Sequence, residues 1–200
     1  MAQLRKNELA ALGLVNREPM HGYALTQAIQ HLGLEQWTTV SRSSIYAALR
    51  RLAREGAVSI THEREGNAPE RTVYHITAAG RSLLLEILRE AVSYIGPEDR
   101  YFYLGMAFAE ALPMGEILDL LARRLRQLTE GMLHEIKDHE DVISSGRCPN
   151  QLSIMTQGGI RHHEIEIDIC SQLLDMYRSR QGDLDVDRLS RHGGRNGESS

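Results

Sequence analysis

Ile45, Ala48, Leu49 and Leu52 recur at i, i+3, i+4 and i+7, the spacing that puts four side chains on one face of a helix. Ser41 stands before this run and can cap a helix start by accepting a backbone N–H. Gly56 stands after it and can take the left-handed conformation that stops a helix. The pattern predicts a helix over residues 42–55. Its other side carries Arg42, Ser43, Tyr46, Ala47, Arg50 and Arg54, with no acidic residue until Glu55. Upstream, residues 4–16 read as a helix that buries Leu9, Leu12 and Val15, and Pro19 breaks it. A second helix opens near Met20 and ends at Gly33, with Tyr23, Leu25, Ile29 and Leu32 suited to one face. Residues 34–40, with Trp37, read as a connector. After Gly56 the period drops to two. Residues 57–62 and 71–76 alternate as strands around a polar loop with Gly66 and Pro69, so a hairpin is predicted. Thr77 then caps a helix over residues 78–93.

Residues 96–99 carry Gly and Pro and read as a linker. Residues 100–112 are apolar on most sides, and Pro113 interrupts them before a helix reaching about Val142, with Ile117, Leu121, Leu125, Leu128 and Met132 on one face. A last helix is predicted over residues 151–180. In it Ile160, Ile167 and Leu174 are spaced by seven, as are His163, Cys170 and Tyr177, which is an a/d seam for another helix. Ile165, Ile169, Leu173 and Met176 make a second side apolar, so this helix needs two partners, its own long helix and a second subunit. Beyond residue 182 apolar periodicity fades and a disordered tail is expected. The expected fold is mainly α with a small β-hairpin wing. It divides into a winged helix-turn-helix domain (1–95), a helical dimerisation domain (96–181) and the tail (182–200).

Charge localises the chemistry. The net charge of −4 argues against indiscriminate polyanion binding, yet residues 1–80 hold nine Lys and Arg against seven Asp and Glu, and the rest holds fourteen against twenty. Any contact with nucleic acid is therefore expected in the first part. Cys148 and Cys170 are the only cysteines, too few for a disulfide framework or a zinc cluster. No apolar run reaches the roughly 18 residues of a membrane span, and the N-terminus lacks a signal-peptide core, so a cytoplasmic protein is expected. Nothing resembles a phosphate loop, a nucleophile elbow or a Cys–His constellation. His162 and Glu166 stand at i, i+4 and could share a metal, but two ligands at one helical spacing arise readily by chance. Neither a catalytic role, a metal nor a cofactor is expected.

Two helices, a connector and a basic third helix form a helix-turn-helix arrangement whose third helix suits the DNA major groove. The candidate contacts to double-stranded DNA are Tyr23, Arg42, Ser43, Ser44, Tyr46, Ala47, Arg50 and Arg54, with Arg64, Asn67 and Arg71 around the wing tip. For Tyr46 two roles stay open: giving its hydroxyl to a phosphate, or packing between helices. Arg64 and Arg71 can equally be solvated, Arg71 beside Glu63 or Glu65. Dimerisation is assigned to Ile160, His163, Ile167, Cys170, Leu174 and Tyr177, and twofold symmetry implies a palindromic operator. Trp37, Tyr101, Tyr103, Met106 and His163 are candidates for an apolar pocket at the junction of the two domains, the alternative being that these aromatics are core. The competing functional class is a winged-helix protein-interaction module without DNA readout.

Four segments carry a family resemblance. They are Glu8-Leu-Ala-Ala-Leu-Gly-Leu-Val, Pro19-Met-His-Gly-Tyr-Ala-Leu, Ser44-Ile-Tyr-Ala-Ala-Leu-Arg-Arg-Leu-Ala-Arg-Glu-Gly-Ala-Val and Tyr74-His-Ile-Thr-Ala-Ala-Gly-Arg. In order and spacing over residues 4–90 they resemble the PadR family of transcriptional regulators. The resemblance implies a winged helix-turn-helix domain, a helical C-terminal dimerisation region and repression relieved by a small molecule.

Overall fold

The structure is a computed structural model that describes residues 2–64, 71–96, 99–144 and 150–193. Two compact units divide the chain, Met1–Pro113 and Met114–Ser200.

The first unit begins with α1 (Ala2–Arg17), whose Leu9, Leu12 and Val15 are buried as their spacing requires. A two-residue strand follows, β1 (Met20–His21), then α2 (Gly22–His31), α3 (Leu34–Trp37) and α4 (Arg42–Arg54). The strip Ile45, Ala48, Leu49 and Leu52 of α4 is buried and packs on α1. Fully burying each of its larger aliphatic side chains stabilises the domain by roughly 1.5–3 kcal/mol. Gly56 ends the helix at φ 77°, a conformation in which a Cβ would be strained. The chain then enters β2 (Val58–Glu63) and β3 (Arg71–Ile76).

The predicted hairpin is present in register, from Val58 opposite Ile76 to Glu63 opposite Arg71. The sheet, however, has a third member. β1 pairs antiparallel with the other edge of β3, Met20 opposite Tyr74 and His21 opposite Val73, so the strand order is β1-β3-β2. Thr77 accepts the Gly80 N–H and opens α5 (Ala78–Val92).

α6 (Asp99–Ala107) and a single 3-10 turn (Ala109–Ala111) close the first unit. The linker pattern places a division after residue 95, whereas the compact units divide at Pro113. The reason is packing. α6 lies on α1 and α5, with Tyr101, Phe102, Leu104 and Phe108 buried. At Gly13 of α1 a Cβ would come within 2.5 Å of the Phe108 ring, so the bare backbone there is the seat of that ring. Arg17 fastens the turn from outside, with its guanidinium 2.7 Å from Glu110, donating to the Ala107 carbonyl and lying 5.1 Å from the Phe108 ring centroid.

The second unit is a pair of long helices, α7 (Met114–Ser144) and α8 (Asn150–Gly193). Ile117, Leu121 and Leu128 of α7 are buried against Cys170, Leu174 and Tyr177 of α8. Within this face Arg124 and Glu166, both almost fully buried, form an ion pair. α8 runs on to Gly193, past the expected end near Arg180, because no proline halts the helix there. The tail expected over 182–200 is thus helical up to Gly193, and residues 194–200 lie outside the described residues. Among the described residues no helix is long and apolar enough to cross a membrane.

Candidate nucleic-acid interface

α4 is held at its start by a reciprocal cap. The Ser41 hydroxyl accepts the Ser44 N–H at 3.2 Å, and the Ser44 hydroxyl meets the Ser41 N–H at 3.0 Å. Ser44 is therefore part of the cap, while Ser43, whose hydroxyl lies 2.9 Å from that of Ser41, is exposed. Glu35 on α3 accepts the Arg42 N–H at 2.8 Å and stands 3.7 Å from its guanidinium. A carboxylate at a helix N-terminus is favourable for the helix dipole, and here it also occupies Arg42.

Farther along α4 the outer face is open. Ala47, Arg50 and Arg54 are exposed, and among the described residues Arg50 and Arg54 meet no carboxylate. They border a groove of about 620 Å³ with Ala53 and Ile60 of β2. Arg51, one residue on, turns the other way and binds the buried Glu8 of α1 at 2.6 Å and Glu55 at 3.6 Å. Burial is the main force on the Glu8 carboxyl and pushes it above the ordinary carboxylate value, against the opposing pull of Arg51 and Arg5.

Of the two roles open to Tyr46, the packing role is the one displayed. Its hydroxyl donates to the Gly22 carbonyl at 2.6 Å and ties α4 to the start of α2. Tyr23, placed by its spacing on the apolar face of α2, is instead 68% exposed, with its ring beside that of His21. Arg64 and Arg71 are exposed at the wing strands, and Asn67 lies outside the described residues.

The candidate effector residues divide. Trp37 donates its indole N–H to the Leu32 carbonyl at 2.7 Å and so pins the turn between α2 and α3. Tyr101 is core, edge-on to Tyr94 at 5.4 Å, with burial raising its phenol well above the ordinary value. Tyr103 and Met106 are half-buried on α6. His163 lies 2.9 Å from Glu135 of α7.

Of the six residues expected in a dimerisation seam, three pack within the chain between α8 and α7. Cys170, Leu174 and Tyr177 are buried within the chain, and the Cys170 thiol donates to the Leu121 carbonyl at 3.5 Å. Ile160 and Ile167 are half-buried. α7 occupies this seam because its own apolar strip is the nearest complement. The side left open carries Met155, Ile165 and Met176. Among the described residues no cluster of three or more His, Cys, Asp or Glu side chains could hold a metal ion.

Sequence reasoning missed β1 and what it assembles. His21 and Tyr23 are brought beside Arg71, Thr72 and Tyr74 in a cleft of about 580 Å³, with Tyr46 at its wall. It also missed Glu35 and the inward Arg51. The i, i+4 spacing of Arg51 and Glu55 was the available signal for the latter.

Helices α1, α2 and α4, the last capped, basic on its outer face and followed by the β2–β3 wing, define a winged helix-turn-helix fold. Residues 11–86 match the Transcriptional regulator PadR-like family. The match spans α1 to α5, so that segment of the chain is similar to this family of transcriptional regulators. Among solved structures, Bacillus subtilis PadR in complex with operator DNA is similar at 22% identity, covering 85% of this chain and 96% of that one, with a TM-score of 0.39. The protein smu.1604c of Streptococcus mutans is similar at 19% identity, covering 84% and 98%, with a TM-score of 0.38. The PadR-like regulator BC1756 of Bacillus cereus is similar at 18% identity, covering 87% and 99%, with a TM-score of 0.37. No curated protein matches the chain.

Proposed function

We propose that the chain is a sequence-specific DNA-binding repressor that acts as a cytoplasmic homodimer on a palindromic operator. The observation that carries this reading is the outer face of α4. Arg50 and Arg54 are exposed and meet no carboxylate among the described residues, and Ala47 between the cap and these arginines leaves room for close approach. Such a face fits the major groove, where arginine reads guanine edges in a bidentate way. Arg64 and Arg71 place the wing beside the same duplex. The protein-interaction alternative has no comparable support, since an acid-free, arginine-bearing face is a poor match for an ordinary protein surface.

The second subunit belongs on the open side of α8. Met155 and Ile165 are exposed there at 72% and 57%, and Gly158 has open space around it. Release by a small aromatic or hydrophobic effector completes the reading. Trp37 and Tyr101 have structural duties, so the half-buried Tyr103 and Met106 are the side chains of that group with surface to offer.

A mobility-shift titration of the full chain against DNA flanking its own gene, repeated over a range of salt, tests the function. A shift whose log affinity falls linearly with log salt is expected, with one discrete footprint of twofold symmetry. Binding of equal strength to every fragment would sink the sequence-specific reading.

A further inference from the structure

We propose that the cleft between α2 and β3 is a seat for a single backbone phosphodiester of the bound DNA, shared by Tyr23 and Arg71. This rests on the DNA-binding reading and names a contact within it.

The sheet creates the cleft. Pairing of Met20 with Tyr74 and His21 with Val73 carries the first residues of α2 to the root of the wing. Its described lining holds His21, Tyr23, Tyr46, Arg71, Thr72 and Tyr74 around Gly22, with no carboxylate among these described residues. The hydrogen-bonding state of each side chain selects the ligand. Gln27 donates to the Tyr23 hydroxyl at 2.9 Å, which leaves the phenol's own hydrogen to give elsewhere. His21 accepts the Ala24 N–H on Nδ1 at 3.3 Å, so the neutral ring carries its hydrogen on Nε2. Tyr46 donates to the Gly22 carbonyl and so engages a backbone acceptor beside the cleft that would repel an anion. Arg71 meets no carboxylate among the described residues. Glu63, opposite it in the ladder, has its carboxylate 3.5 Å from the Thr61 hydroxyl.

The cleft therefore presents donors and one fixed positive charge between aromatic walls. Neutral or cationic ligands find few acceptors there. A phosphodiester fits, with its anionic oxygens toward Arg71 and the Tyr23 hydroxyl and its sugar against the rings. The start of the ten-residue α2 adds the positive end of its dipole. The cleft shares Tyr46 with α4, so a strand lying along the α4 groove passes its mouth.

Two residues on separate elements that hold one phosphate must be coupled, and that is the test. Operator affinity of the full chain is measured for Tyr23→Phe, Arg71→Ala and the double variant across a salt series, with Arg50→Ala alongside and melting curves to confirm folding. Arg71→Ala should weaken binding roughly tenfold, as loss of a charge-assisted hydrogen bond does, and lower the salt slope by about one. The double variant should bind scarcely more weakly than Arg71→Ala alone. Inorganic phosphate, exchanged for chloride at equal ionic strength, should compete with operator for the wild type and lose that advantage in the double variant. If phosphate competes but neither substitution affects operator binding, the cleft serves a free anion and the DNA seat is overturned. Losses that multiply would place the residues on separate phosphates and also overturn it. If Arg50→Ala weakens binding and the cleft variants do not, the seat fails while the DNA-binding reading stands. If no variant alters binding, Arg50→Ala included, the docking face fails and the seat with it.

Discussion

Arg50 on α4 and Arg124 on α7 both stand on amphipathic helices, yet one is exposed and the other is almost completely buried. The difference lies in the partner each helix supplies. α4 buries a purely aliphatic strip, so its cations are left to the outside. In α7 the arginine falls within the strip, between Leu121 and Leu128, and α8 answers with Glu166 at the matching level. Two charges removed from water repay their desolvation only when held together, so such a pair contributes little net stability but tolerates no mismatch. It fixes the register of α7 on α8. The exposed arginines of α4 carry no such constraint and are free to meet an external anion.

The largest expected effect breaks the buried member of this comparison. Arg124→Ala or Glu166→Ala removes one member of a buried ion pair and should cost about 3–5 kcal/mol. Thermal or denaturant unfolding of the full chain measures it. A loss below about 1 kcal/mol would mean that water reaches the pair and that it does not set the register.

The next sharpens the comparison within a single turn of α4. Arg50 points outward and Arg51 inward, although they are neighbours in sequence. Arg50→Ala should cost about 1–3 kcal/mol in operator affinity while leaving the melting temperature unchanged. Arg51→Ala should do the reverse, costing about 1–3 kcal/mol of stability by removing the partner of the buried Glu8. Equal effects of the two on DNA affinity would show that the outer face has been misassigned.

The smallest expected change concerns the cap. Ser41→Ala removes the acceptor for the Ser44 N–H and should cost about 1 kcal/mol of stability. Ser43→Ala leaves the cap intact and should not reproduce that loss. If the two lower the melting temperature equally, Ser41 is not the residue that starts α4.

α4, its cap, its Gly56 stop and the β2–β3 hairpin were legible in the sequence because each rests on local spacing or on one residue with special backbone freedom. The helical C-terminal region was legible for the same reason. β1 was not: two residues cannot display a period, and Met20 and His21 become a strand only because Tyr74 and Val73 are there to pair with them. The seam of α8 was visible as apolar, but periodicity names a buried face without naming what covers it. That Cys170, Leu174 and Tyr177 meet α7 depends on α8 folding back on α7 within one chain. Likewise, the aromatic run at residues 101–108 reads as the start of something new after a linker. Only the gap at Gly13, shaped for Phe108, returns it to the first unit.

The briefness of β1 has a consequence for the order of assembly. α4 and the hairpin are built from contacts between near neighbours, which form early. Met20 finds Tyr74 only after α2, α3, α4 and β2 have been placed between them, and distant pairings of this kind are slow and gained late. With only two residues of ladder, β1 is also among the first pairings to be released in a local opening. The cleft beside it is thus expected to be completed after α4 and to open before α4 frays. A chain paused at that stage would already display its arginine-bearing helix while lacking the junction between α2 and the wing.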